Sequence, residues 1–231
     1  MKKAILGIKI DDVTLDEATQ MVENWLSKDG KHYIVTPNPE IVVMAQDDEE
    51  LKKIINRADL AIPDGVGLKL SGDIVCIIPG IDLMEQLIEL AADNGFTAGF
   101  LGGRDEVAEK TRERLQKKYP KLKVTFAESG GEVDKDGNMT TDYRLPTTDL
   151  LFVAFGPPKQ EKWIAKNLQK LDVKVAMGVG GAFDYLSNKI PRAPKWIRGM
   201  GLEWLFRLIV QPWRWKRQLR LLKYLFLLTK N

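Results

Sequence analysis

The stretch LLFVAFGPPKQEKWIAKNLQK, residues 150–170, decides the fold. Six apolar residues, Leu150 to Phe155, run without alternation; a glycine and two prolines follow, and then an amphipathic stretch. An unbroken apolar run of that length reads as a strand buried on both faces, and the amphipathic stretch reads as the helix that covers it. The same rhythm recurs along the chain. Strands are expected near 5–10, 33–36, 59–62, 97–101, 123–127, 150–155 and 174–179. Helices are expected over 15–28, 39–46, 48–57, 82–94, 104–118 and 158–170. The βαβα order predicts an α/β, Rossmann-like fold, a mostly parallel sheet with helices on both faces.

At 231 residues, with 44% apolar and 29% charged residues, the chain suits one large domain, or one domain with an appendage. The lone cysteine, Cys76, excludes an internal disulfide framework and is expected to be a buried, inert thiol. His32 is the only histidine, which excludes a histidine metal cluster. The start, MKKAILGIKIDD, is broken by Lys9 and ended by Asp11 and Asp12, so it reads as a first strand rather than a signal peptide. No stretch reaches the ~18 uncharged apolar residues of a membrane span. A cytoplasmic location is expected.

The net charge of +3 hides a sharp division. Residues 195–231 carry nine Lys/Arg against one acid, Glu203, while residues 1–194 carry 26 basic and 31 acidic residues. Four of the six tryptophans, Trp196, Trp204, Trp213 and Trp215, also lie in that last segment. The division sets a catalytic domain, 1–194, apart from a basic, Trp-rich appendage, 195–231. On a helix Trp215, Leu219, Leu222 and Phe226 share one face, and Lys216, Arg220, Lys223, Leu227 and Lys230 share another. Such a helix suits an anionic membrane surface, where each basic residue contributes about 1 kcal/mol. Packing on the body or on another subunit, as in a homo-oligomer, is the competing reading. A nucleic-acid partner is the weaker one, because the leucine density exceeds what a phosphate backbone requires.

Ligands of parallel sheets sit at the carboxyl ends of the strands. Here those ends read VTPNPE (35–40), IPDGVG (62–67), FLGGRD (100–105), AFGPPKQE (154–161) and MGVGGAFD (177–184). Asp64 is either a turn aspartate or a general base whose pKa burial raises. Gly102 and Gly103 are either a tight βα turn or a close approach for a diphosphate. Gln160, Thr36 and Asn38 are aimed by neighbouring prolines, and the bland reading of each is a cap or a strand end. Lys159, Gly180, Gly181 and Asp184 complete the candidate substrate-binding set at these ends. DKDGN (134–138) contains a D-x-D but reads as a turn, since Leu145 stands where a calcium loop needs Glu. The chain has neither G-x-G-x-x-G nor a Walker A motif, which weighs against dinucleotide oxidoreductases and P-loop NTPases.

Taken in order, HYIVTPNPEIVVMAQ, ADLAIPDGVG, PGIDLMEQL, LFVAFGPPKQEKWI, MGVGGAFDYL and RAPKWIRGMGLEWLFRLIVQPWRWKRQ resemble the WecG/TagA/CpsF glycosyltransferases (glycosyltransferase family 26), most of all the TagA-type N-acetylmannosaminyltransferases. The resemblance covers nearly the whole chain. It implies an inverting transfer without metal or cofactor from a UDP-sugar, often of N-acetylmannosamine. The acceptor would be a polyprenyl-diphosphate-linked sugar at the inner face of the bacterial plasma membrane, in teichoic acid or surface-polysaccharide synthesis. It implies Asp64 as the base, Thr36 and Asn38 near the donor, and Gln160 on sugar or acceptor. Arg192, Arg207, Arg214, Arg217 and Arg220 are the candidate cations for diphosphate. Ile77 stands where the family commonly has an arginine, in a shortened 68–79 segment, and Ser187-Asn188 and the SGGEVDKDG stretch also depart from the pattern. These departures support a second reading, a non-catalytic sugar-nucleotide-binding or scaffold protein on the same fold.

Overall fold

A computed structural model describes residues 2–139 and 144–230; Asn231, the end of the expected appendage, lies outside the described residues. The chain opens with a hairpin, β1 (Lys2–Ile5) and β2 (Ile8–Asp11), paired antiparallel. The single strand expected over 5–10 is therefore two. Leu6 and Gly7 both take positive φ, +50° and +77°, the backbone of a tight two-residue turn that matches strand twist. The hairpin docks through Asp11, whose carboxylate accepts the Ala61 amide at 2.9 Å.

After α1 (Leu15–Leu26) the main sheet begins: β3 (His32–Val35), β4 (Leu60–Ala61), β5 (Thr97–Gly102), β6 (Lys123–Glu128), β7 (Thr148–Ala154) and β8 (Val173–Gly178). All six are parallel, in the order β4-β3-β8-β7-β5-β6. The connecting helices are α2 (Pro39–Met44), α3 (Glu49–Arg57), α4 (Gly80–Asn94), α5 (Val107–Lys118), α6 (Lys159–Asn167) and α7 (Ala182–Leu186). Successive strand residues point to opposite faces, and both faces are covered. Phe100, Phe152 and Met177 pack with α1, α4, α5 and α7, while Leu101, Leu151, Val153 and Ala176 pack with Trp163 and Ile164 of α6. This double coverage is why the strands read as continuous apolar runs. Helix α5 starts three residues later than expected because Asp105 and Glu106 take positive φ, +55° and +57°, which no helix accommodates.

The C-terminal segment forms α8 (Lys195–Gly199), α9 (Glu203–Val210) and α10 (Trp215–Leu228). Helix α10 lies along α2. Tyr224 is fully buried in the cluster formed by β1, β2, α2 and α3, with Leu221 and Leu227 packed against its edge. Arg217 pairs with Glu40, with Nε 2.8 Å from each carboxylate oxygen, Arg220 meets the same carboxylate, and Lys223 reaches Asp47 at 2.7 Å. Arg217, Arg220 and Lys223 of α10 thus face acids of the body, Lys216 stays exposed over the Trp215 ring, and the Trp215, Leu219, Leu222, Phe226 stripe faces out.

The Tyr224 hydroxyl has no hydrogen-bond partner, so ring and hydroxyl are separable. Tyr224→Ala should cost about 3–5 kcal/mol in urea unfolding, whereas Tyr224→Phe should leave stability unchanged or raised. Equal losses for both would place Tyr224 outside the body core.

Candidate active site

The parallel arrangement brings the carboxyl ends of β3, β4, β7 and β8 to one edge. Asp64 stands there, three residues beyond β4. Its amide donates to the Pro37 carbonyl at 2.9 Å, and Ile78 donates to Pro63 at 2.9 Å, so the loops after β3 and β4 are tied together. The Asp64 carboxylate accepts the Gly80 amide. Gly80 opens α4, and the residue before it, Pro79, makes no side-chain cap; Asp64 supplies the missing acceptor from another loop. Asp64 is nevertheless pushed up to about 7, first by burial and then by the Glu203 carboxylate, against the lowering effects of the Gly80 amide and Arg207.

Glu203 and Arg207 both come from α9. Four residues apart, they share a helix face, and that face brings one like and one opposite charge within electrostatic range of Asp64. Arg207 is held on three sides. Its guanidinium stacks over the Tyr185 ring at 4.9 Å, its Nε donates to Gln211 Oε1 at 3.2 Å, and its Nη2 lies so close to Gly181 that a Cβ there would stand 2.3 Å away. The buried Gln211 also accepts from Arg214 Nη1 at 3.4 Å. Arg214 is pushed down to about 10 by burial, then by Arg207 and Arg217. Two guanidiniums gathered on one amide are an arrangement that could receive a doubly charged anion.

The remaining sequence candidates fall into place around this cluster. Thr36 is buried; its hydroxyl donates to the Gly178 carbonyl at 3.3 Å and its methyl packs on Gly80. Asn38 caps α2, accepting the Ile41 amide at 3.0 Å. Gln160 is buried, and its Oε1 accepts the amides of Gly156 and Gly180 at 3.1 and 3.0 Å. It braces the loops after β7 and β8 from beneath. Its Nε2 donates to Glu161 at 2.9 Å. Gly102 and Gly103 pack β5 on the Ala154 backbone and on Val107, and the Gly103 amide donates to Ala154 at 3.2 Å; these two glycines serve the turn. Lys159 donates to the Val133 carbonyl at 2.5 Å, away from Asp64. Asp184 lies on α7, one residue before Tyr185. Arg192 is gripped by Asp82 at 2.6 Å and Glu203 at 3.5 Å, and Arg217 and Arg220 are spent on Glu40.

Sequence reasoning missed Glu203, Tyr185, Gln211 and Glu161. Glu203 carried a signal: it is the one acid of the tail, a helical turn before Arg207. Glu161 carried none. It is buried, pushed up to about 7 by that burial, and has an unpartnered Oε2. Cys76 is half-buried rather than buried, with its amide donated to Asp12 at 2.9 Å. DKDGN is a turn: Asp134 accepts the amides of Asp136 and Asn138 at 2.9 and 2.8 Å. Among the described residues no group of three or more His, Cys, Asp or Glu could hold a metal ion. A hollow of about 270 Å³ between α4, α5 and α7, lined by Tyr185 and Arg192 among others, adjoins the cluster from behind, and Asp64 is not part of its wall.

Gly181 has an ordinary negative φ, −83°, so alanine fits its backbone and acts only by displacing Arg207. Gly181→Ala should weaken pyrophosphate binding by about tenfold in calorimetry, with an unchanged melting temperature. Unchanged binding would remove Arg207 from the anion site.

Comparison with known proteins adds to this geometry. A family model described as "Glycosyl transferase WecG/TagA/CpsF family" matches residues 3–231. Proteins named N-acetylglucosaminyldiphosphoundecaprenol N-acetyl-beta-D-mannosaminyltransferase from Staphylococcus aureus strains MRSA252, NCTC 8325 / PS 47 and COL are each 32% identical to the chain over 224 residues. The match covers 94% of this chain and 86% of each relative.

Proposed function

The chain belongs to the WecG/TagA/CpsF family of glycosyl transferases, and on that premise we propose that it moves a sugar, N-acetylmannosamine or a relative, from a UDP-sugar to a polyprenyl-diphosphate-linked sugar. The observation that carries the reading is the pairing of a carboxylate at about 7 with two guanidiniums on one edge of the sheet. A hydroxyl nucleophile needs a base that is unprotonated near neutrality yet basic enough to take its proton, and Asp64 has that character. Arg207 and Arg214 would neutralise the departing UDP diphosphate, the work a divalent metal does elsewhere. A base on one side of the sugar and a leaving group on the other gives inversion. No cofactor enters this scheme.

Thr36, Gln160 and Glu161 would act as positioning residues. All three are buried; Thr36 and Gln160 bond to backbone at the ends of β7 and β8, Glu161 accepts from the Gln160 side chain, and together they would hold the loops that carry the donor. Asn38, Gly180 and Asp184, at or just beyond the carboxyl ends of β3 and β8, would line the approach to it. Residues 195–231 would be both catalytic cover and membrane appendage: α9 faces Asp64, while the outward stripe of α10 suits a lipid surface. Among the described residues no helix is long and apolar enough to cross a membrane, so the enzyme would be peripheral, on the leaflet that carries its acceptor.

UDP release should require the lipid-diphosphate-sugar acceptor and should persist in EDTA. Asp64→Asn should lower kcat by about a hundredfold or more; a loss of only a few-fold would give the base to another group. Because the active form of Asp64 is the carboxylate, kcat/KM should fall by about tenfold per pH unit below about 7 and level off above it. A flat profile from pH 5 to 8 would contradict the assignment. The scaffold reading predicts UDP-sugar binding in calorimetry with no acceptor-dependent release.

A further inference from the structure

Among the described residues, the large apolar side chains that stand exposed lie in two stretches, Val66 to Val75 and Trp196 to Phe226. The second is the tail. The first belongs to the body, where Leu70 is 60% and Val75 70% exposed, as much as Trp196 at 67% and Trp213 at 70%. We infer that the chain meets an anionic bilayer through one apolar face made of both stretches, with Leu70 and Val75 entering the lipid beside the tail tryptophans. The inference rests on the membrane-bound transferase reading above and extends it to the body.

The two stretches are joined. Val66 packs against Gly201 at the α8–α9 junction, where an added Cβ would meet its methyl groups at 3.2 Å, and Leu221 of α10 approaches Gly67 at 3.6 Å by the same measure. Nor is the body stretch a loose loop that exposes side chains by default. Val66–Ser71 forms a 3₁₀ turn with Leu68 fully buried, and Ser71 Oγ donates to the Leu68 carbonyl at 2.8 Å. Asp12 accepts the Val75 and Cys76 amides at 3.2 and 2.9 Å. Within this rigid frame Leu68 and Ile74 point in, while Leu70 and Val75 point out. A soluble protein seldom confines its large exposed apolar side chains to two adjoining stretches without a partner.

Charge selects the partner. Lys69, Lys195, Lys216 and Lys230 are exposed around the face, and Asp73 is the exposed acid in the body stretch. Lys216 and Lys230 lie over the rings of Trp215 and Phe226, 5.9 and 4.4 Å from their centroids, a posture that suits side chains reaching from apolar surface to headgroups. Tryptophan favours that same interface. A second copy of this chain would set the cationic segment against itself, a repulsion that phosphate headgroups replace with attraction. The placement also suits the chemistry: Asp64 lies two residues before Val66, and Arg207 lies between Trp204 and Ile209. A lipid-borne acceptor would reach the base without leaving the surface.

The test is the double variant Leu70→Glu/Val75→Glu in the full chain. Its partition onto vesicles of phosphatidylglycerol and phosphatidylcholine should fall by about tenfold or more. Turnover of a long-chain polyprenyl-diphosphate acceptor in those vesicles should fall in step, and turnover of a short-chain, water-soluble analogue should not change. Unchanged partition would overturn the inference, as would an equal loss on the short-chain acceptor, which would assign the loop to the catalytic cleft. A wild-type dimer in sedimentation that the variant dissolves, with vesicle partition intact, would give the face to a second copy. The partition measurement needs no turnover, so it decides the inference even if the transferase reading fails.

Discussion

The Asp64 carboxylate is balanced between opposed influences, and the rest of the site depends on that balance. The Gly80 amide and Arg207 favour its charge, whereas burial, Glu203 and Asp82 oppose it. Without the opposition it would be an ordinary helix-capping aspartate, too weak a base to take a proton from a hydroxyl. Without the support it would stay protonated at neutral pH. Both charged partners of opposite sign, Glu203 and Arg207, arrive on a single turn of α9. In the proposed mechanism the tail is therefore part of the chemistry, since its charges bear on the state of a residue more than a hundred positions earlier in the chain.

That dependence explains why the tail is fastened so firmly. Tyr224 fills a core cavity, and Arg217, Arg220 and Lys223 are committed to Glu40 and Asp47 of the body. These side chains looked like candidates for a diphosphate or for lipid headgroups. In the folded chain they hold α10 down, and the proposed anion-binding role falls instead to Arg207 and Arg214, which have amide and ring partners in place of carboxylates at bonding distance. The apolar stripe of α10 is left free to face outward.

The sheet was legible because its strands are buried on both sides, which forces runs such as LLFVAF into the sequence whatever the helices do. The strand ends were legible for a related reason: glycine, proline and short polar residues cluster where loops bend tightly over an edge. Sequence alone did not reveal which side chains at that edge are spent on structure. Gln160 and Thr36 stand in the right motifs, yet their polar atoms are consumed by glycine amides and a carbonyl from other strands. The partners distant in sequence, Gly180 for Gln160 and Gly178 for Thr36, leave no trace in local spacing. Leu6 misled for the opposite reason, since a leucine gives no hint of the positive φ that splits the first strand in two.

The most direct measurement is a crystal structure of the chain with UDP bound. The account predicts the diphosphate within hydrogen-bonding distance of the Arg207 and Arg214 guanidiniums, with the Asp64 carboxylate open to the same space. A nucleotide seated on the amino edge of the sheet, or one whose phosphates leave both arginines untouched, would contradict it.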